Sequence, residues 1–146
     1  MSLSSRFAVA VHVLTLLAQV EDRPATSEYM AGSINTDPVV VRRILGALRK
    51  AGLVTTQPGV GGGSSLARDP EQITLLDVYR AVEKGRLFSL HHRPPNPHGV
   101  VGGNIQTTLE SVFGEAEAAM EEVLAGITVT QVLQDVVACA GQVVEQ

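Results

Sequence analysis

The stretch PGVGGG, residues 58–63, places four of the chain's 14 glycines in five consecutive positions, with LVTTQ before it and SSLAR after it. Glycine reaches positive φ at no steric cost, so such a cluster suits a phosphate-cradling loop, a flexible linker or the tip of a hairpin. The flanks decide among these. They are short runs of β-branched and polar residues that can pair as antiparallel strands around a glycine tip. A phosphate loop needs a strand before G-x-x-x-x-G-K-[ST] and a helix after it, whereas here a helical pattern precedes the glycines and no lysine follows them. The dinucleotide pattern G-x-G-x-x-G fails on the same ground. The chain is thus constrained to carry a small two-stranded hairpin directly behind a helix.

That helix is PVVVRRILGALRKA. Asp37 can cap its free N–H groups, Pro38 suits the first helical position, and Gly52 is the natural stop. Val41, Ile44, Leu45 and Leu48 recur at spacings of three and four and should pack inward, leaving Arg42, Arg43, Gly46, Arg49 and Lys50 on the surface. Upstream, Ser4 or Ser5 can cap a first helix that runs to Val20 and is apolar almost all round. Thr26 or Ser27 can cap a short second helix to about Ser33, with Tyr29, Met30 and Ile34 expected on its inner side. On an isolated helix, four cations are ordinarily a solvated face. Two short helices joined by a tight turn, the second of them basic and followed by a hairpin wing, give those cations another use: one helix fits the major groove, and Arg is shaped to bond guanine there.

Charge is unevenly divided along the chain. The net charge of -4 hides seven cations against four anions in residues 1–68, and four cations against eleven anions in residues 69–146. A basic module that meets a polyanion and an acidic module that does not would produce this asymmetry. The 146 residues fit one domain or a small domain with an appendage, and 45% hydrophobic with 18% charged residues marks a globular chain. With aromatics at 3% and no Trp, the core must be built from Val, Leu, Ile and Ala on packed helices, so the expected class is mainly α. The apolar run FAVAVHVLTLLAQV is interrupted by His12 and Thr15 and lacks a cationic lead and a cleavage site, so a soluble, cytoplasmic protein is expected. The single Cys139 excludes an internal disulfide and any zinc-finger spacing.

Behind the hairpin, a helix from about Thr74, bearing Ile73, Leu76, Val78, Tyr79 and Val82, should close a first domain at residues 1–84. Residues 85–103 contain three Pro and four Gly and read as a linker. Residues 104–146 read as a helical dimerisation region. Its long helix carries Leu109, Val112, Phe113, Ala116, Met120, Val123 and Leu124 as one stripe, with five glutamates elsewhere. A stripe that long needs a partner; it could fold back on its own domain, but an isologous seam between two copies is the expected use. A last helix, with Thr128 and Gln131 as its capping box, carries Val132, Leu133, Val136 and Val137.

Taken together, SSRFAVAVHVLTLLA, DPVVVRRILGALRKAGLV, PGVGGGSSLARDPEQITLLDVYRAVE and ITVTQVLQDV resemble the BadM/Rrf family of bacterial winged-helix transcriptional regulators, which includes IscR, NsrR and CymR. The resemblance covers nearly the whole chain, and DPVVVRRIL with PNPHGVVGGNIQ lies closest to the YwnA-like branch. It implies a winged helix-turn-helix with a small two-stranded wing plus a long C-terminal dimerisation helix, in a homodimer that reads an imperfect palindrome of double-stranded DNA. Where members of the family use Tyr-Leu-Glu-Gln, this chain has Val40, Val41, Arg42 and Arg43, so its base preference should differ. Pro58 replaces the arginine common before the first wing glycine, which implies fewer wing contacts. Cluster-binding members use three closely spaced cysteines, and none stands between 85 and 103, so no iron–sulfur centre and no other cofactor is expected. His91, His92 and His98 lie in that segment, but adjacent histidines on a Pro-rich loop are more often solvated than metal-bound; no metal is expected. Cys139, flanked by small and apolar residues, reads as an inert thiol.

The expected function is a sequence-specific DNA-binding regulator, a homodimeric repressor with no catalytic activity. Arg42 and Arg43 are the candidate base readers, Val39 and Val40 the candidate thymine-methyl contacts, and Thr26, Ser27, Arg6, Arg49 and Lys50 the candidate phosphate contacts. Gly59, Val60, Gly61 and Gly62 form the wing tip. The alternative is a protein-interaction module whose acidic half docks on a metabolic enzyme. No nucleophile, acid and base stand at a spacing that points to a shared catalytic site.

Overall fold

The computed structural model describes residues 4–145, with side chains through residue 141. Its elements are α1 (Arg6–Val20), α2 (Ser27–Ile34), α3 (Pro38–Lys50), β1 (Val54–Gln57), β2 (Gly63–Leu66), α4 (Leu75–Val82), α5 (Ile105–Ala125) and α6 (Val129–Glu145). This is a mainly α winged helix-turn-helix with one antiparallel hairpin.

Each boundary has a local cause. Ser4 Oγ accepts the Arg6 N–H at 3.1 Å at the start of α1, while Ser5 occupies the cap position without a side-chain bond. Thr26 Oγ1 accepts the Tyr29 N–H at 3.1 Å to open α2, and Asn35, left-handed at φ 62°, closes it. Asp37 Oδ1 accepts the Val39 N–H at 2.8 Å and Pro38 follows at once, so α3 starts without wasted donors. Thr74 and Asp77 form a full capping box at α4. At α6, Thr128 Oγ1 accepts the Gln131 N–H at 3.2 Å.

α1 is the central post. Ala10, Val13, Leu14 and Leu17 are buried on it, and α3, α4 and α6 all pack around it. Val41, Ile44, Leu45 and Leu48 of α3 enter this core as their spacing predicts. On α2 the inner side is Met30, Ala31 and Ile34, and Tyr29 is half exposed. Tyr29 was expected inside; one residue before Met30 on a helix, it is carried round to the far side of the buried stripe.

The wing pairs Val54 with Leu66 and Gln57 with Gly63. It is fastened to the base of α2 by a single bridge, in which the Ala25 N–H bonds Ser64 O at 2.9 Å and the Ser64 N–H bonds Ala25 O at 2.8 Å. Gly63 makes this approach possible. It sits at φ 147°, and a Cβ there would lie 2.5 Å from Ala25 O.

The C-terminal segment divides in two. α5 runs 21 residues with none of them buried. The start of α6, by contrast, belongs to the core of the winged domain: Val129 is fully buried, its N–H bonds Ile73 O at 2.9 Å, and the Leu75 N–H bonds Ile127 O at 2.9 Å. Residues 85–103 are irregular, yet they are tied to α5 where Phe88 stacks on Phe113 at 4.9 Å and the Leu87 N–H bonds Glu117 Oε1 at 3.0 Å.

Candidate nucleic-acid interface

The exposed side of α3 sorts its cations by helical phase. Opposite the buried line of Val41, Ile44, Leu45 and Leu48 runs an outward stripe of Val39, Arg43, Gly46 and Lys50, at spacings of four, three and four. Val39 on it is 52% exposed. Arg42 and Arg49, seven residues apart, lie on the flank that faces α2 and the wing. There the Arg42 Nη2 donates to Glu28 Oε1 at 2.9 Å and the Arg49 Nη1 donates to Thr56 Oγ1 at 3.3 Å. Val40 occupies the other flank, half buried. The two adjacent arginines singled out as base readers are therefore in different surroundings, Arg43 outward and Arg42 held sideways.

Ser27, Arg42, Arg49, Thr56 and Ser64 line one open cleft between the start of α2, α3 and the wing. Thr26 is exposed at its edge, and its hydroxyl already accepts from the backbone of α2. The Glu28 carboxyl is held below the ordinary glutamate value, first by a hydrogen bond from its own backbone N–H and then by the Arg42 guanidinium. Glu28 and Thr56 were not foreseen as members of this surface. An acidic residue in the first turn of a helix is a local signal, but its pairing with a residue fourteen positions later comes from the angle between α2 and α3.

Arg6 is exposed but committed elsewhere, its Nη2 bonded to Glu83 Oε2 at 3.2 Å beside the end of α4. The wing tip projects freely: Val60 is fully exposed, and Gly59 and Gly61 take φ of 89° and 78°. These are conformations that turn a tight hairpin and that other residues resist.

Along α5, Leu109, Phe113, Ala116, Met120 and Leu124 are half buried, whereas Val112 and Val123 are 52% and 62% exposed. His91, His92 and His98 are exposed in the segment before it, and Cys139 is exposed on α6. Among the described residues no three His, Cys, Asp or Glu side chains converge as metal ligands, and no helix is long and apolar enough to cross a membrane.

Comparison with known proteins matches the chain to a family. Residues 3–135 fit the model of Rrf2, described as an iron-dependent transcriptional regulator. YwnA of Bacillus subtilis, assigned as an HTH-type transcriptional regulator, is 44% identical over 131 residues, covering 90% of this chain and 96% of YwnA. A crystal structure of a protein described as DNA-binding superposes with a TM-score of 0.71 at 42% identity, covering 88% of this chain and 99% of its own. IscR of T. potens superposes with a TM-score of 0.71 at 26% identity over 93% of this chain and 88% of its own. With the fold, the cationic helix face and these relatives in agreement, the chain belongs to the Rrf2 family of winged-helix, DNA-binding transcriptional regulators, near YwnA within it.

Proposed function

We propose that two copies of the chain pair through α5 and lay their α3 helices in successive major grooves of an imperfect palindrome, repressing transcription by occupying it. The observation that carries this reading is the outward stripe of α3, where, among the described residues, Arg43 and Lys50 stand clear of any carboxylate ion pair beside a free wing. Arg43 is the principal base reader, since a free guanidinium on the groove-facing line can bond guanine O6 and N7 together. Arg42 reads from the flank. Val39 meets a thymine methyl, and Val40, half buried, has a smaller share of the contact. Ser27, Thr26, Arg49 and Lys50 hold phosphates, with the wing tip at Gly59, Val60, Gly61 and Gly62. Arg6 must leave Glu83 to join them.

The dimer seam is the stripe Leu109, Val112, Phe113, Ala116, Met120, Val123 and Leu124. A long helix with two exposed valines and no buried residue is supported by a second copy more readily than by water. The protein acts in the cytoplasm, without catalytic activity. It holds no iron–sulfur cluster, because clusters are held by several thiolates and one cysteine cannot supply them.

Selection of bound sites from random DNA, followed by sedimentation of the protein alone, tests the reading. The expected result is a two-fold symmetric motif, a sedimenting dimer, and loss of the motif on joint Arg42→Ala and Arg43→Ala replacement with the dimer intact. A monomer, or an unchanged motif in the double variant, would overturn it.

A further inference from the structure

A trough opens between the second half of α3 and α4. It is lined by small residues, Gly46 and Ala47 of α3, Ala51 just past its end and Ala81 of α4, together with Lys50, Arg80, Lys84 and the base of Arg49. Small side chains between long cations let a rod-like polyanion come close to the backbone while Lys50, Arg80 and Lys84 reach over it. Gly46 and Lys50 belong also to the outward stripe of α3, so the trough continues the recognition face sideways onto α4.

The nearby carboxylates leave most of this charge unspent. Arg80 Nη2 meets Glu121 Oε2 at 3.3 Å, with side chains 63% and 41% exposed, and a pair so open to water is easily exchanged for another partner. Glu83, next to Lys84 in sequence, is turned to Arg6 with 18% of its side chain exposed. Among the described residues Arg49 bonds the Thr56 hydroxyl on the wing side and no carboxylate, and Lys50 and Lys84 are exposed.

We propose that this trough is a second phosphate-binding surface, in which Arg80 of α4 and Lys84, just past its end, hold backbone phosphates of the duplex beyond the base pairs that α3 reads. The proposal rests on the DNA-binding reading above and extends the contact surface to an element outside the helix-turn-helix and wing. A run of phosphates suits it better than a single small anion, because the trough is open along its length and offers no buried donor that would fix one ion.

The test measures affinity for a selected duplex between about 50 and 200 mM salt, using wild-type protein, Lys84→Gln, Lys84→Arg and Arg80→Gln, each with its melting curve. Each lost phosphate contact lowers the slope of log K against log salt by about 0.9. Lys84→Gln and Arg80→Gln should each lose close to that amount, Lys84→Arg should keep it, and the ranking of selected sites should stay the same in all. Phosphate-ethylation interference should weaken at the flanking positions only. Unchanged slopes and interference in the two Gln variants at intact folding would overturn the proposal while leaving the DNA reading standing. So would inorganic phosphate, at matched ionic strength, saturably displacing the duplex from wild type but not from Lys84→Gln, since that marks a small-anion site. A wild-type protein that binds no duplex would overturn both.

Discussion

Arg42 of α3 donates to Glu28 of α2 across 2.9 Å, and this bond joins the two helices at the surface proposed to face DNA. Both side chains are more than half exposed, so the pair adds little to stability. Its effect is on direction and charge. Glu28 cancels one cation and leaves Arg42 with donors to spare on its other edge, since guanidinium carries five.

Replacing Glu28 by Gln therefore releases a full positive charge onto the interface. Affinity for random duplex should rise several-fold and its salt dependence should steepen by roughly one phosphate contact, a slope change of about 0.9. In an Arg42→Ala background the same replacement should do much less, and a double-mutant cycle measures the difference. Equal effects in both backgrounds would mean that Glu28 acts on DNA by itself.

The same pair fixes a pH response. A carboxylate whose folded pKa is depressed contributes stability that is present above its unfolded value and lost as pH falls through the folded value. The Glu28–Arg42 bond should hold at neutral and mildly acid pH and open only below the ordinary glutamate range. Carboxyl carbon NMR should show a lowered Glu28 midpoint that rises part of the way in Arg42→Ala, because the backbone N–H, the larger cause, remains.

Arg43 is expected to weigh more in base choice than Arg42. It stands on the outward line with Val39 and Lys50, and among the described residues no carboxylate is bonded to it. Arg43→Ala should cost about 1 to 3 kcal/mol of discrimination at one base pair and leave the other positions of the motif readable. Competition binding with single-base operator variants checks this; a uniform loss across all variants would make Arg43 a phosphate contact.

Much of this surface was legible in the sequence, because α3 is specified by local chemistry: a carboxylate cap, a proline, an apolar line at helical spacing and a glycine stop. The hairpin was legible for the same reason. What escaped was decided by packing between distant segments. Tyr29 faces out because α2 turns its Met30 side to the core, and Arg42, already on a different face from Arg43 by helical phase, is tied down by Glu28 from another helix. The insertion of Val129 beneath α1 and α4 depends on where the chain returns after α5, and no window of sequence carries that information.

Gly46 offers a separation of stability from binding. A Cβ built there meets nothing within 4 Å, so Gly46→Ala fits the free protein and should stabilise α3 by about 0.5 to 1 kcal/mol. The methyl would stand in the middle of the outward stripe, between Arg43 and Lys50, and in the proposed complex would hold the helix off the base edges. A higher melting temperature with weaker operator binding is the expected pair of results. Unchanged binding would place the DNA away from this line.

Gly63 should behave in the opposite way. A Cβ there would press on Ala25 O at 2.5 Å and Ala25 C at 2.7 Å, and its φ of 147° strains any L side chain. Backbone cannot swing aside as a long side chain does, so Gly63→Ala should cost about 1 to 3 kcal/mol and detach the wing from the base of α2. Hydrogen exchange should report faster loss at the Ala25 and Ser64 amides, while the amides of α4 change little.

The last helix should prove part of the winged domain. Val129 is fully buried in the same core as Ile73 and Val78, and the Thr74–Thr128 bridge stitches the start of α6 to the start of α4. Removing two methyl groups from so closed a site forfeits their burial and leaves a void, so Val129→Ala should destabilise the chain by roughly 1.5 to 3 kcal/mol. For a chain of this size that lowers the melting temperature by several degrees. Ending the chain after Gly126 removes Val129, Leu133 and the Ile73 and Thr74 partners together, and residues 4–84 should then melt far lower or fail to fold. If the truncated chain melts with the full one and still binds the operator, α6 is an accessory laid on the surface, and the buried valine contributes nothing that the remaining core cannot replace.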